Sequence, residues 1–507
     1  MLYGDWIGRW GKSDPHKEAL VDAVKGRRYT YGDLSAEINK TAEFLRSDLE
    51  IGKGDRIAVL SFNRTEYITL FFAASRIGAI LVPLNTRLAP GEFDYFIQDA
   101  GPSALFFDAP HRSIAGGIKA AGGLKHHICF DSDDTTSPPF SEAMNRIPPH
   151  PLPDIPLSAD DPQLIIYTSG TTGVPKGVVM TYGMITWNAV NTHIGWDLRS
   201  EDRTVLHSAL FYTAGWNIFT LPLFHARGTT LLIRGFDTDL ILDLIEREKL
   251  TLFFGVPTMF QMMLESPKFE RTDFSSVRFM VSGGAMLPKK VADAFQETKG
   301  IRIREGYGLT EVGPNNFLAD GKPGSVGHPM LHVDVKITNE TGEEVPPGAE
   351  GELLLRGDHV CAGYWNKPLE TKAVIKDGWF LTGDLARIDS DGHLSIVGRK
   401  KDMYISGGIN IYPAEIEKAI ELHPDVAGAA VIGVFDEKWG EVGKAIVELH
   451  PGKRMTVEEL QHFLGSSLGK FKIPKYLKTV DALPRTAASG KIQKFILKNE
   501  HGKPDNR

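Results

Sequence analysis

The sequence predicts an α/β protein: a large N-terminal domain of doubly wound α/β subdomains plus a small β-barrel-like subdomain, followed by a small C-terminal α+β domain. Three observations predict it. Short apolar runs alternate with stretches of helical periodicity as far as about Ser282. Glycine-rich turns follow several of those runs, where α/β sheets bind their ligands. From about Gly324 the helical period gives way to strand alternation with frequent turns.

Taken in order, Leu34, Ile38, Ala42 and Leu45 recur at helical spacing after Tyr31. Arg56 to Leu60 reads as a strand, Glu66 to Arg76 as a helix closed by Gly78, and Ala79 to Leu84 as the next strand, which makes a right-handed parallel βαβ unit. A second unit spans Phe93 to Phe107. The Pro-rich stretch from Pro138 to Pro162 reads as a connector that separates this first lobe from the hydroxyl- and glycine-rich loop beyond Tyr167. Further buried strands are expected at Leu164 to Ile166, Arg203 to Ala209, Thr229 to Ile233, Leu252 to Gly255 and Val277 to Ser282, with a helix at Asp239 to Lys249. Val333 to Ile337 and Glu352 to Leu355 belong to an antiparallel β-subdomain. Past Gly398, Pro413 starts a helix, Ala429 to Val434 pairs with Lys444 to Leu449, and Thr456 with Glu459 forms a capping box for a helix through about Leu468. The division expected is 1–400 and 401–507.

A chain of 507 residues supports several cores. Its 42% hydrophobic and 24% charged residues are those of a globular protein, and a net charge of −7 gives no reason to expect nucleic acid as a partner. Two cysteines, Cys129 and Cys361, exclude a disulfide framework and a Cys-rich metal site, which suits a reducing cytoplasmic compartment. No stretch approaches the roughly 18–20 apolar residues of a membrane span, and the N-terminus lacks a signal-peptide core.

The chemistry starts at Tyr167-Thr168-Ser169-Gly170-Thr171-Thr172-Gly173-Val174-Pro175-Lys176-Gly177, where hydroxyls and glycines crowd ahead of one cation after a strand. Glycines let backbone N–H groups approach a polyanion, hydroxyls donate to its oxygens and lysine supplies charge, so the loop suits phosphate. It is not a Walker A loop, because Val174 and Pro175 separate Gly173 from Lys176. The order resembles the phosphate loop of the adenylate-forming superfamily, which includes acyl-CoA synthetases, luciferases and peptide-synthetase adenylation domains.

Five further stretches match that superfamily in its own order, so the resemblance runs from Tyr167 to Lys491. Gly283-Gly284-Ala285 is similar to the turn along which adenine lies, where a side chain would push the base away. Glu305-Gly306-Tyr307-Gly308-Leu309-Thr310-Glu311 resembles the segment whose tyrosine packs on adenine, whose threonine meets the α-phosphate and whose glutamate helps hold Mg²⁺. Asp384, after Thr382-Gly383, matches the carboxylate that accepts both ribose hydroxyls. Arg399 matches a ribose contact, Lys401 the hinge between domains, where other members carry aspartate, and Gly407-Gly408 the loop that lines the pantetheine tunnel. Lys491, in Pro484-Arg485-Thr486-Ala487-Ala488-Ser489-Gly490-Lys491, matches the C-terminal catalytic lysine.

The resemblance implies a two-step reaction. A carboxylate attacks the α-phosphate of ATP to give acyl-AMP and pyrophosphate, and the acyl group then passes to coenzyme A after the C-terminal domain rotates. Lys491, Thr310 and Glu311 are the implied catalytic residues. Thr168 to Lys176 grips the β- and γ-phosphates, and Ser169 assists Glu311 at the metal. At the acyl pocket stand Tyr212, Trp216 and Asn217. Tyr212 departs from the histidine of many acyl-CoA synthetases, and it cannot supply the aspartate charge of amino-acid-activating relatives. Apolar neighbours Phe211, Phe219, Phe254, Met259 and Phe260 suit a lipophilic monocarboxylic acid, either a fatty acid of medium or longer chain or an aromatic or alicyclic acid. The expected partners are small molecules, acting on a monomer or homodimer. A ligase loading a carrier protein, or a non-catalytic nucleotide- or acyl-binding homologue, are the alternatives.

Overall fold

The computed structural model describes residues 4–121, 124–131, 140–148, 155–168, 174–320, 322–407, 409–465, 467–486 and 490–502. Two mostly parallel sheets form the body of the N-terminal region. The first runs in the order His126–Cys129, Ala104–Phe107, Arg56–Leu60, Ile80–Pro83, Pro162–Thr168 and Lys176–Thr181, and only its last pair is antiparallel. The second runs Ile303–Glu305, Phe279–Ser282, Leu252–Gly255, Arg203–Leu206, Thr229–Leu232, Glu18–Asp22 and Arg27–Thr30. The expected βαβ unit is present: Arg56–Leu60 and Ile80–Pro83 pair in parallel around the Thr65–Ile77 helix. Nearly every residue of that helix is buried, which is why its sequence is apolar on all sides. Gly78 closes it in the left-handed conformation, φ 74°, and its N–H donates to the Ala74 carbonyl.

The two lobes are not consecutive in sequence, contrary to the expected separation at Pro138 to Pro162. Pro162–Thr168, beyond that stretch, pairs in parallel with Ile80–Pro83 of the first sheet, while the hairpin Glu18–Thr30, before it, caps the second. The reason is an open strand edge. Ile80–Pro83 is fully buried and needs a hydrogen-bonding neighbour on each side, and Pro162–Thr168 supplies the second. The connector itself contributes to the core, since the Phe140–Arg146 helix buries Phe140, Ala143 and Met144.

The antiparallel subdomain contains Asp334–Thr338, Glu350–Arg356, Ile375–Lys376, Trp379–Ile388 and Leu394–Arg399. The C-terminal region has its own sheet, in which Val426–Asp436 pairs antiparallel with Gly440–Leu449 in the register Val431↔Ala445, and Tyr476–Val480 adds in parallel. Thr456 and Glu459 form the expected capping box, and the helix they start ends at Leu464, four residues earlier than the apolar pattern suggests, where Gly465 comes next. Among the described residues no helix is long and apolar enough to cross a membrane.

Candidate active site

Three segments leave the carboxyl ends of second-sheet or first-sheet strands and meet the antiparallel subdomain. The phosphate loop comes after Pro162–Thr168; its residues Ser169, Gly170, Thr171, Thr172 and Gly173 lie outside the described residues, whereas Thr168 and Lys176 are paired at its base. The base is pinned: the Tyr167 hydroxyl donates to Asp99 at 2.6 Å and the Tyr95 hydroxyl to the Pro175 carbonyl at 2.7 Å. Gly283 comes after Phe279–Ser282, and its N–H donates to Gly255; Gly284 takes φ 82°, with Ala285 next in the turn. Gly306 comes after Ile303–Glu305, and its N–H donates to Ser282. Glu305 accepts from the Leu287 N–H at 3.2 Å, and burial raises its pKa while Lys418 opposes. At Gly308 a Cβ would stand 2.3 Å from the Gly313 carbonyl oxygen, so only glycine lets the chain turn there.

Asp384 is the most completely partnered group of the set. The antiparallel register places it opposite Arg399, whose Nε lies 2.6 Å from Oδ1, and the Tyr307 hydroxyl donates to Oδ2 at 2.6 Å. The Asp384 N–H donates to the Thr382 hydroxyl, which itself donates to the Leu353 carbonyl. Burial raises the carboxyl pKa, and Arg399 and Tyr307 pull it back. A carboxylate has about four acceptor positions, so Asp384 keeps capacity for further donors.

Thr310 and Glu311 open a single 3₁₀ turn, Thr310–Val312. The Tyr364 hydroxyl donates to Glu311 Oε1 at 3.0 Å, and Lys176 Nζ sits 5.0 Å from the centre of the Tyr364 ring. Burial raises the Glu311 pKa, whereas the Tyr364 bond, Arg399 and Lys176 lower it. Tyr364 is a site residue that the motifs do not contain. Its signal is the Gly363-Tyr364-Trp365-Asn366 run, which docks on the phosphate-loop hairpin through the Trp365 N–H and the Gly177 carbonyl. Cys361 is no candidate nucleophile, because burial pushes its thiol up to about 12.

Lys491 comes from the C-terminal region and feels the charges of Arg399 and Asp384. Gly490 takes φ 65°, and a Cβ there would stand 3.5 Å from Thr258 on the Pro257–Glu265 helix, so the loop lies against the large domain. The Lys491 side chain keeps solvent access, yet the protein packed round the cleft mouth lowers its pKa; Arg399 adds repulsion, and Asp384 and Asp402 oppose it. At the junction, the Lys400 N–H donates to Gly383 of the large domain, and the Lys401 carbonyl accepts from Lys498 of the C-terminal helix. Gly407 takes φ 57° with Trp439 packed beneath it, and its N–H donates to the Trp439 carbonyl; Gly408 lies outside the described residues.

At the acyl end, the Tyr212 hydroxyl receives a long 3.4 Å bond from Asn85, and Tyr212 stands just before the Thr213–Asn217 helix. Trp216 is wholly buried with its ring 4.5 Å from that of Phe71, so it anchors this helix in the first core. Asn217 bonds the Thr213 hydroxyl, and its carbonyl accepts from Asn188 and Asn315. Behind Phe254 lies His207, which in the sequence is one residue of an ordinary strand.

Two family profiles match the chain: AMP-binding enzyme over residues 7–365 and AMP-binding enzyme C-terminal domain over residues 415–491. Feruloyl-CoA synthase of Amycolatopsis sp. is 38% identical over 98% of this chain and 99% of its own. Indoleacetate–CoA ligase of Aromatoleum aromaticum is 35% identical over 97% of each. Among solved structures, ATP-bound MatB of Rhodopseudomonas palustris superposes with a TM-score of 0.90 at 33% identity, covering 99% of both chains. MatB without ATP superposes at 0.81.

Proposed function

From a chain that belongs to the AMP-binding enzyme family, we propose an AMP-forming acyl-CoA synthetase that activates a lipophilic monocarboxylic acid and transfers it to coenzyme A. The observation that carries the reading is the buried Asp384, Arg399 and Tyr307 cluster, with the Gly490-Lys491 loop of the C-terminal domain lying against Thr258 of the large domain and within electrostatic range of Asp384. One arrangement thus offers a ribose acceptor, a ring for adenine and a mobile cation.

In the first step the acid's carboxylate oxygen attacks the α-phosphorus, the P–O bond to pyrophosphate breaks, and acyl-AMP forms. Negative charge grows on the α-phosphate and the departing pyrophosphate, so fixed cations and donors supply the catalysis and no proton needs to move. Lys491 pairs with the carboxylate and α-phosphate, Thr310 donates to the α-phosphate, and the loop from Thr168 to Lys176 holds the pyrophosphate. Gly283, Gly284 and Ala285 give adenine a flat bed against Tyr307. Glu311, a hard oxygen donor fixed by Tyr364, fits a hard cation, and with Ser169 it would hold Mg²⁺, which neutralises polyphosphate charge when bound. In the second step the thiol must reach the acyl carbon where Lys491 stood. Rotation about Lys401 would withdraw Lys491 and bring Gly407 and Gly408 to the tunnel. The higher TM-score against ATP-bound MatB than against its ATP-free form supports reading this structure as the adenylating arrangement.

The pocket neighbours Phe219 and Phe254 are buried and apolar, and two relatives are named for aromatic acids. Aromatic acids therefore lead, with fatty and alicyclic acids alongside. Purified protein given ATP, Mg²⁺ and CoA with benzoate, cyclohexanecarboxylate, arylpropenoates and a fatty-acid series tests the reading. Acyl-CoA with stoichiometric AMP is expected. ADP as the product, or no acid-dependent turnover with CoA or with a carrier protein, would overturn it.

A further inference from the structure

His207 leaves the carboxyl end of the Arg203–Leu206 strand, and only 3% of its surface is exposed. Its Nε2 lies 2.7 Å from the Phe254 carbonyl oxygen. A carbonyl only accepts, so Nε2 must carry the proton. Burial holds the imidazole neutral, its pKa lowered to about 4, which leaves Nδ1 as a bare lone pair. Nδ1 is buried and has no hydrogen-bond partner among the described residues. The ring stacks on Phe253 at 5.3 Å and 25°, and the Nε2 bond to the Phe254 carbonyl sets which way round it lies in that plane.

His207 borders a cavity with room for about one water-sized group, walled by Ala214, Ile218, Phe219 and Phe254 and by Thr204 and Thr220, whose hydroxyls already donate to the Leu252 and Gly215 carbonyls. The cavity adjoins the acyl end of the active site. Ala214 belongs to the helix that begins beside Tyr212, and the Phe254 ring lies 3.2 Å from where a Cβ on Gly283 would stand. An unpaired acceptor beside a pocket whose threonine hydroxyls are already engaged selects for one thing: a donor on the far end of what enters.

We propose that His207 is a specificity residue that reads the distal end of the acid, its Nδ1 accepting a hydrogen bond from one O–H or N–H group on an otherwise apolar acyl chain or ring. This rests on the acyl-CoA synthetase reading above and narrows it. Acids ending in a donor bind with the lone pair satisfied. Acids ending in an acceptor alone, such as a second carboxylate, a fluorine or a carbonyl, meet it with repulsion.

The test compares wild-type kcat/KM for acyl-CoA formation on size-matched pairs: 4-hydroxy against 4-fluoro forms of benzoic, phenylacetic and cinnamic acids, and ω-hydroxy against unsubstituted alkanoic acids. At least one hydroxylated acid should exceed its partner by about tenfold or more, the size of one hydrogen bond. The aryl and alkyl arms distinguish a ring from a chain as the carrier of the donor. In His207→Leu that ratio should collapse toward one, and His207→Asn, which keeps an acceptor, should restore part of it. If His207→Leu does not fold, the wild-type pairs decide alone. Ligation of both members of every pair at equal rates would overturn the inference while leaving the synthetase reading intact. No acid-dependent AMP with any acid would overturn the synthetase reading itself.

Discussion

Asp384 and His207 are buried almost equally, at 4% and 3% exposure, and the fold treats them in opposite ways. Asp384 meets Arg399 and Tyr307 on its two oxygens and keeps its backbone N–H on Thr382. His207 has one ring nitrogen engaged and the other buried without a partner, and the residue borders a small cavity. On the proposed function the Asp384 cluster would thus be pre-paired, its charges in place before ATP arrives, as electrostatic catalysis requires. The proposed acyl end would instead leave one buried acceptor unmet beside Phe219 and Phe254. A ligand common to a whole family can be met by a fixed lattice of charges, whereas the ligand that differs between members is chosen by what a cavity leaves unsatisfied.

Four substitutions and a pH series can break or sharpen that contrast. Lys491→Ala should have the largest effect, slowing acyl-AMP formation by at least about a hundredfold for one lost transition-state contact worth about 3 kcal/mol. Pyrophosphate exchange at the wild-type rate would remove Lys491 from the chemistry. Arg399→Leu leaves the buried Asp384 charge without its cation and should cost about 3 kcal/mol, read as a lowered denaturant midpoint together with weaker ATP binding. An unchanged midpoint would mean that the pairing is dispensable. Lys401→Pro should slow thioester formation by about tenfold more than adenylation if the chain pivots there; equal losses in both half-reactions would place the pivot elsewhere. Glu311→Gln should raise the Mg²⁺ concentration needed for half-maximal activity severalfold, and an unshifted titration would take Glu311 out of metal binding.

The pH series probes the buried histidines. Burial lowers the pKa of His207, of His225 and of His359, near Asp334 of the antiparallel subdomain, from 6.5 to about 4. Below pH 6.5 the unfolded chain takes up protons that the folded chain refuses. The stability these histidines contribute is therefore complete above pH 6.5 and is lost as pH falls toward 4, by about 1.4 kcal/mol per pH unit for each. Urea midpoints at pH 7.5, 6 and 5 should decline accordingly, and His359→Phe should flatten the decline. A flat profile in the wild type would show that none of the three is held neutral by burial.

The same contrast explains what is legible in the sequence. Thr168 to Lys176, Tyr307 with Glu311, Asp384 and Lys491 sit in short runs from which the proposed roles are read, and the structure brings Tyr307 and Arg399 onto Asp384 as those runs imply. The strands and helices around them are legible from periodicity, as at Thr65–Ile77. What is not legible is what depends on pairing between distant strands. Pro162–Thr168 joins the first sheet through an edge that no local pattern reveals. His207 sits within an ordinary apolar run, and only the Phe254 carbonyl on the neighbouring strand fixes its tautomer. Trp216 reads as pocket lining, yet its ring packs on Phe71. Tyr364 is within reach, since Gly363-Tyr364-Trp365-Asn366 is an unusual cluster for a loop.

The central claim is that Lys491 and the Asp384 cluster together activate a carboxylate as its adenylate. Acid-dependent exchange of labelled pyrophosphate into ATP, without CoA, tests it most directly. Exchange should require the acid, persist without any thiol and fall at least about a hundredfold in Lys491→Ala. Exchange that ignores the acid, or that survives unchanged in Lys491→Ala, would contradict it.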